Sequence, residues 1–146
     1  MNKSVATKYG TVEGKELNGV FSWKGIPYAS PPTGKRRFKR PLPPAPWNGI
    51  LKACEFGPSP VQVPKPLGGI SKGTSVSEDC LYLNIWSPGD SGRKYPVMFW
   101  IYGGAFVSGS SSIDMYDGRN LCLNENIVIV TFNYRVGVLG FTDFSF

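Results

Sequence analysis

The stretch of residues 95–111 constrains the fold of this chain more than any other. Within it, residues 97–102 form a continuous apolar run rich in β-branched and aromatic side chains, which predicts a strand buried on both faces of a sheet. The run ends at Gly103, Gly104 and Ala105, whose small size allows a sharp turn and lets a ligand approach the backbone closely. Neighbouring N–H groups in such a turn can bind a negatively charged oxygen. An ordinary glycine turn at the end of a core strand fits this stretch equally well.

The composition is that of an ordinary globular domain. A chain of 146 residues, 41% of them hydrophobic and 18% charged, is long enough to bury a sizeable core. We therefore predict a single region, residues 1–146, with no second domain.

The sequence predicts no membrane-spanning or secretory segment. No stretch approaches the ~20 apolar residues of a membrane span, and the N-terminus lacks the apolar core of a signal peptide. We expect no membrane partner.

The formal net charge of +6 comes in part from a basic run at residues 35–40. A basic run that contains an aromatic residue could bind nucleic acid. Here prolines flank the run on both sides, at Pro32 and Pro41, and no second basic stripe or recognition module accompanies it. We interpret the run as a solvated surface and expect no nucleic-acid partner.

The cysteine and histidine content limits the chemistry of the chain. Cys54, Cys80 and Cys122 are an odd number of cysteines without the close spacing of a zinc site or a disulfide framework. The chain contains no histidine, which is the commonest general base and the commonest metal ligand. We therefore expect no metal, no cofactor and a reduced, cytoplasmic setting.

Two short patterns mimic the surroundings of a nucleophilic serine. Residues 69–73 match G-x-S-x-G, which requires a strained turn from a strand into a helix, and residues 89–92 are G-D-S-G. Prolines precede the first pattern and a Ser/Thr-rich loop follows it, while the second lies in a turn between two predicted strands. Either serine would also need a histidine. We interpret both serines as loop residues.

The first half of the chain predicts a small hairpin followed by irregular structure. Residues 9–12 and 19–23 predict two antiparallel strands. The prolines of residues 27–44 exclude a helix interior or a central strand there. A short element is expected to begin at Trp47, and residues 56–77 predict a loop.

The second half predicts the beginning of an α/β sheet. Residues 80–86 and 97–102 predict two strands joined as an antiparallel hairpin. Residues 117–126 fit a short helix with Asp117 as its N-cap, and residues 127–132 predict a second fully apolar strand. The order strand, helix, strand gives a right-handed crossover and a parallel pair.

The motifs of the chain, taken in order, resemble the type-B carboxylesterases, a family that includes the cholinesterases and the bacterial p-nitrobenzyl esterases. The resemblance covers nearly the whole chain and implies the N-terminal part of an α/β-hydrolase fold, with a small antiparallel hairpin followed by the first strands of the central mixed sheet. The segments that carry it are K-G-I-P-Y-A at residues 24–29, P-P-T-G-K-R-R-F-K-R-P at 31–41, S-E-D-C-L-Y-L-N-I-W-S-P at 77–88, P-V-M-F-W-I-Y-G-G-A-F-V-S-G-S-S at 96–111 and N-Y-R-V-G-V-L-G-F at 133–141.

The resemblance also implies roles for individual residues. Gly104 and Ala105, in the turn that Gly103 begins, match the oxyanion hole, so their N–H groups would stabilise the tetrahedral intermediate of ester hydrolysis. Ala105 stands where many members have a glycine, and alanine keeps its N–H. Arg37 and Glu78 match positions that form a buried ion pair in relatives.

Three further positions follow from the resemblance. Cys80 matches one half of a disulfide found in secreted members, whose other half falls near Pro60, so that bridge is expected to be absent. Arg135 is expected to pair with an acidic residue beyond the end of the chain. The loop before Ser77 lacks the tryptophan with which cholinesterases bind choline, which argues against a choline ester as the substrate.

By the same resemblance, the catalytic residues lie beyond residue 146, so no catalytic residue is expected in this chain. The nucleophilic serine in a G-E-S-A-G elbow, the acidic residue and the histidine would all follow there. We expect an N-terminal fragment of a serine carboxylesterase that is inactive alone. Its expected partners are a small ester, once it is completed, and a complementing C-terminal chain or self-association through an exposed sheet at residues 127–132. The alternative is a non-catalytic cholinesterase-like adhesion module or the remnant of a split gene.

Overall fold

The computed structural model describes residues 2–63, 70, 73, 75–89 and 92–143, which form one large mixed sheet and a short two-stranded ribbon. The strands are β1 (Asn2–Thr7), β2 (Gly10–Leu17), β3 (Val20–Pro27), β4 (Ile50–Lys52), β5 (Ser59–Pro60), β6 (Val76–Ser77), β7 (Tyr82–Pro88), β8 (Val97–Trp100) and β9 (Val128–Phe132). The α-helices are α1 (Arg119–Glu125) and α2 (Val138–Phe141), and single 3-10 turns span Gly34–Arg36 and Asp114–Tyr116.

Three antiparallel strands form the N-terminal part of the large sheet. β1 pairs with β2, and β2 pairs with β3 through a tight turn at Asn18 and Gly19. The φ angles of these two residues, 52° and 80°, are the left-handed values that an Asn-Gly hairpin turn requires. The predicted hairpin is therefore present, but its first strand extends to Leu17. β1, which pairs with β2 antiparallel, was not predicted. The short element expected from Trp47 forms as β4, which begins at Ile50 and pairs with β2 in parallel.

The order of the strands corrects the predicted hairpin between residues 80–86 and 97–102. The order is β1-β2-β3-β7-β9-β8, so β9 lies between β7 and β8, antiparallel to the first and parallel to the second. The Asn84 amide donates to Thr131 Oγ1 over 3.0 Å, so a buried polar bond joins β7 to β9. The predicted parallel pair, with a helix in its crossover, is confirmed for β8 and β9.

β9 is an interior strand that a helix covers. The prediction that residues 127–132 would have an open edge and no covering helix is wrong, because β7 and β8 pair with the two edges of β9 and α1 packs against it. Cys122 of α1 is fully buried in a cluster with Trp86 and Ile129.

The start of α1 differs slightly from the prediction. The helix begins at Arg119, and Gly118 rather than Asp117 occupies the N-cap position. Asp117 still binds the helix start, because its Oδ1 accepts a hydrogen bond from the Arg119 N–H over 2.9 Å.

β8 is the outermost strand of the sheet, and its apolar side chains are exposed. The prediction that residues 97–102 are buried on both faces is wrong for this strand, since all four residues of β8 are exposed and only Tyr102, beyond its end, is buried. β9 pairs with one edge of β8, and none of the strands that the structure describes pairs with the other. An exposed apolar edge of this kind favours association with further protein.

The remaining predictions concern loops. Residues 33–40, which include the basic run, are all exposed, as expected of a solvated surface. Residues 56–77 contain β5 and β6, a parallel pair of two residues each, within the segment predicted as a loop. Ser71 and Ser91, the serines of the two nucleophile-like patterns, lie outside the described residues. None of the described helices has the length and hydropathy needed to cross a bilayer.

Candidate functional site

The candidate site lies where β8 and β9 end. The two strands are parallel, so their carboxyl ends meet at one edge of the sheet, which is where open α/β sheets bind ligands. Gly103, Gly104 and Ala105 follow β8 at this edge, and Tyr134 follows β9. The predicted turn therefore lies at the edge of the sheet where a ligand is expected.

The backbone of the turn has a conformation that few residues tolerate. Gly104 has a φ of +144°, and a Cβ atom added to it would lie 1.8 Å from the Ser108 carbonyl oxygen. Ala105 and Phe106 have φ angles of 52° and 62°, left-handed values that cost a non-glycine residue about 1–2 kcal/mol each. The N–H groups of Val107 and Ser108 both donate to the Gly104 carbonyl, over 3.1 and 3.2 Å. The turn is compact and strained, a combination that is concentrated at functional sites.

Two donors of the turn are open to a ligand. Within the described part of the chain, no oxygen accepts a hydrogen bond from the N–H of Gly104 or of Ala105. Gly104 is half-buried and Ala105 is exposed. Gly104 is partly removed from water, so its N–H needs an acceptor, and together with the neighbouring Ala105 N–H at a concave surface it suits an oxyanion.

The turn faces an apolar, uncharged pocket. The Phe106 ring lies 4.7 Å from the Phe141 ring, and Phe141 meets the Tyr134 ring edge-on at 6.2 Å. The side chains that line the pocket beside the turn are Ile101, Tyr102, Phe106, Phe132, Tyr134 and Phe141. None of these is acidic or basic, so this wall of the pocket favours an apolar group and supplies no general base.

Tyr102 and Tyr134 fix the base of the pocket. Their rings stack with 4.3 Å between centroids and an interplanar angle of 14°. The Tyr102 hydroxyl donates to the Tyr134 carbonyl over 3.1 Å, and the Tyr134 hydroxyl donates to the Tyr102 carbonyl over 2.5 Å. Burial raises the pKa of both tyrosines, so both hydroxyls remain protonated donors at neutral pH. Tyr102, the residue before Gly103, is therefore held in place where the turn begins.

A network of buried polar side chains, Asn84, Ser111 and Asn133, holds the serine-rich segment that follows the turn. Asn133 Oδ1 accepts from the Ser111 N–H and hydroxyl over 2.8 and 2.9 Å, and Asn133 Nδ2 donates to the Pro58 carbonyl over 2.9 Å. Asn84 Nδ2 donates to Ser111 Oγ over 3.1 Å. The network was not predicted, although an asparagine inside the apolar run of β7 is itself a signal, since a buried amide needs partners.

Comparison with known proteins assigns the family. Residues 1–145 match the profile described as the Carboxylesterase family. The chain belongs to the carboxylesterase family. It is 46% identical to the para-nitrobenzyl esterase of Bacillus subtilis over 143 residues, which are 97% of this chain and 29% of that protein. It is 47% identical to the acetylcholinesterase of Danio rerio over 150 aligned positions, covering 94% of this chain and 24% of that protein.

A solved structure of a PNB esterase has the same fold. It superposes with a TM-score of 0.94 at 44% identity, over 99% of this chain and 30% of the other. The prediction of the fold class is confirmed: this carboxylesterase chain forms the N-terminal part of an α/β-hydrolase fold. It spans less than a third of the length of the relatives that it matches.

Arg37 and Glu78 are bonded to each other in this carboxylesterase chain. Arg37 Nε and Nη2 donate to the two Glu78 carboxylate oxygens over 2.6 and 2.5 Å. The two side chains are 45% and 25% exposed, so the pair is less buried than the resemblance implied. The hydrogen bonds raise the pKa of Arg37 and lower the pKa of Glu78, which keeps both groups charged at neutral pH.

Arg135 lines a cavity beside this pair, together with Glu78 and Cys80. Arg135 Nη2 donates to the Lys39 carbonyl over 2.9 Å, whereas Nη1 is buried and has no acceptor among the described residues. A buried donor without an acceptor is costly. The predicted acidic partner from beyond the chain would remove that cost and stays a prediction.

The three cysteines are free thiols. Cys80 is fully buried and lines the same cavity as Pro60, and burial raises its pKa to about 12. A thiol with so high a pKa is a poor nucleophile at neutral pH. The described residues hold no group of His, Cys, Asp and Glu side chains that could bind a metal ion. The cytoplasmic setting stays a prediction.

Proposed function

We propose that this chain supplies oxyanion-hole donors to a serine carboxylesterase that hydrolyses carboxylic esters. The donors are the N–H groups of Gly104 and Ala105, in the turn that Gly103 begins. The observation that carries the proposal is the pair of neighbouring donors without an internal acceptor, at the carboxyl edge of a carboxylesterase-family sheet.

The chemistry of ester hydrolysis requires such donors. Attack of a nucleophile on the ester carbonyl places a negative charge on the carbonyl oxygen, and preorganised N–H groups stabilise that charge in the transition state. Loss of one donor typically lowers kcat by a factor of roughly 10²–10³. The turn is suited to this role because its conformation is already fixed before a substrate binds.

The nucleophile and the general base must come from outside these residues. The chain contains no histidine, and its two elbow-like serine patterns lie in predicted loops. An oxyanion hole without the triad retains only a rate enhancement of about 10³–10⁴. We therefore propose that the chain works only when the remaining part of an α/β-hydrolase, whether a continuation or a separate chain, covers the exposed edge of β8.

The substrate that we propose is a small, uncharged ester. The pocket wall beside the turn is made of Ile101, Phe132 and Phe141 together with the two stacked tyrosines, and it contains no carboxylate to attract a cationic group. An apolar acyl or alcohol group suits this wall.

The proposal is tested with a fusion in which residues 1–145 of this chain replace the matched N-terminal segment of the Bacillus subtilis para-nitrobenzyl esterase. We call this protein the fusion esterase. We expect it to hydrolyse a p-nitrobenzyl ester. Gly104→Ala should lower kcat by roughly 10²–10³, because the new Cβ would meet the Ser108 carbonyl oxygen at 1.8 Å and displace the donors.

Gly103→Ala is the matched control. A Cβ atom at Gly103 meets nothing within 4 Å, so this variant should keep kcat within about tenfold of the unsubstituted fusion esterase. Equal losses in the two variants would indicate a general disturbance of the pocket. Unchanged turnover in a folded Gly104→Ala fusion esterase would contradict the oxyanion assignment.

A further inference from the structure

Gln62 bonds both backbone groups of Gly109, the residue that follows the strained turn. The Gly109 N–H donates to Gln62 Oε1 over 2.9 Å, and Gln62 Nε2 donates to the Gly109 carbonyl over 2.9 Å. The same Nε2 also donates to the Pro60 carbonyl over 3.0 Å, and this bond anchors the Gln62 side-chain amide to β5. Two opposed bonds from one planar amide define both the position and the rotation of the Gly109 backbone.

Gly109 in turn lies directly against the residues that begin the turn. A Cβ atom added to Gly109, whose φ is +129°, would lie 2.5 Å from the Tyr102 ring and 2.9 Å from the Gly103 carbonyl oxygen. Just inside this contact, a Cβ atom added to Gly104 would lie 1.8 Å from the Ser108 carbonyl oxygen. The chain therefore folds back on itself, and a displacement of Gly109 must displace the backbone at Gly104.

The turn needs such support because its own bonds are few. Ala105 and Phe106 are held in left-handed conformations that they would leave in a free chain. The Gly137 N–H donates to the Phe106 carbonyl over 2.6 Å and fixes one side of the turn. The bonds of Gln62 to Gly109 fix the other side.

We infer that Gln62 is a positioning residue for the oxyanion donors: it holds Gly109 and thereby sets where the N–H groups of Gly104 and Ala105 lie. The inference rests on the proposed function. Gln62 comes from the segment after β5, 47 residues before Gly109 in the chain, and it acts on the donors only through Gly109.

The test compares Gln62→Met with Gln62→Glu in the fusion esterase. Methionine keeps the length of the side chain and loses both bonds to Gly109, whereas ionised glutamate keeps an acceptor for the Gly109 N–H but places a carboxylate oxygen against the Gly109 and Pro60 carbonyls. We expect kcat to fall roughly tenfold to a hundredfold in both variants, with KM within about twofold. Val63→Ala changes the neighbouring side chain, which is 79% exposed, and should leave both constants unchanged.

Two further readouts separate positioning from a merely structural role. The affinity for a trifluoromethyl ketone, which forms an oxyanion with the nucleophile, should fall in Gln62→Met by the same factor as kcat/KM. Amide hydrogen exchange of residues 103–109 should quicken in Gln62→Met while exchange in β2 and β3 stays unchanged. Loss of stability alone would change neither the analogue affinity nor kcat per titrated active site.

The outcomes are distinct. Unchanged kcat and analogue affinity in Gln62→Met, whatever its melting temperature, would overturn the inference. If Gln62→Met does not fold, Gln62→Glu is judged by the same two quantities. If Gly104→Ala abolishes turnover and the Gln62 variants do not reduce it, the inference fails and the proposed function stands. An unsubstituted fusion esterase that folds without esterase activity overturns the proposed function, and the catalytic role of Gln62 with it.

Discussion

β7 and β8 have apolar sequences of similar character but opposite environments. In β7, Trp86 is fully buried and Asn84 is 1% exposed. In β8, Val97 is 63% exposed and Phe99 is 55% exposed. An amide therefore lies in the interior of this chain while aromatic and branched side chains lie on its surface, the reverse of the usual distribution.

The difference lies in the number of partners that each strand has. β7 pairs with β3 and β9 and packs against α1, whereas β9 is the one described strand that pairs with β8. Asn84 is stable in the interior because the Gly25 N–H, Ser111 and Thr131 satisfy its amide. The apolar sequence of β8 is typical of a strand that packs against further protein, and none of the described residues packs over it in this way.

The largest effect on stability is expected in the buried polar network of Asn84, Ser111 and Asn133. Asn133→Ala leaves the Ser111 N–H and the Pro58 carbonyl without their partner. Each orphaned buried group costs about 1–3 kcal/mol, so we expect the free energy of unfolding of the fusion esterase to fall by roughly 3 kcal/mol in urea denaturation. Asn48→Ala, at an exposed asparagine, is the control. A loss below about 1 kcal/mol would contradict the claim that this network holds the segment.

The same substitution in a covered and an uncovered strand tests the comparison directly. Val20 of β3 is 1% exposed and Val97 of β8 is 63% exposed. In the chain of residues 1–146, Val20→Ala should lower the free energy of unfolding by about 2 kcal/mol and Val97→Ala by less than about 0.5 kcal/mol.

The fusion esterase sharpens this test, because there the proposed remainder of the sheet covers β8. Val97→Ala should then cost about 2 kcal/mol, like Val20→Ala. A cost at Val97 that stays below about 0.5 kcal/mol in the fusion esterase would show that nothing covers this edge.

The parts of the fold that the sequence predicted are those with a local cause. The hairpin of β2 and β3, the helix near residues 119–125 and the parallel pair of β8 and β9, which a single helix connects, each follow from successive segments of the chain. The insertion of β9 between β7 and β8 depends on pairings between distant segments, and local patterns do not determine such pairings.

At the candidate site, too, the sequence predicted the local feature and missed the contacts between distant segments. The turn of residues 103–105 is visible as a short motif, and the family resemblance suggested its role. Gln62 and Asn133 were not predicted, because they meet their partners Gly109 and Pro58 across 47 and 75 residues of sequence. A glutamine in a loop and an asparagine after a strand have many possible partners, and only the assembled fold determines which they bond.

The smallest expected effect concerns the ion pair between Arg37 and Glu78. It tests whether the covered half of the chain, in which β3 and β7 pair with other strands on both edges, owes its stability to packing rather than to charge. The hydrogen bonds from Arg37 lower the pKa of Glu78 below that of the unfolded chain, which is about 4.3. The stabilisation is therefore fully present above that value, and it is lost as the pH falls through the lower pKa of the folded state, because the unfolded state takes up the proton first. Glu78→Gln should flatten the fall in melting temperature of the fusion esterase between about pH 5 and pH 3.

Glu55→Gln is the control: it removes the partner of Lys15 in a pair whose side chains are 55% (Lys15) and 86% (Glu55) exposed, and it should leave that slope unchanged. Since both members of the Arg37–Glu78 pair are in contact with solvent, the change should be small beside that of Asn133→Ala. If Glu78→Gln instead destabilises the protein as much as Asn133→Ala, charge contributes to the covered half as strongly as the buried polar network does.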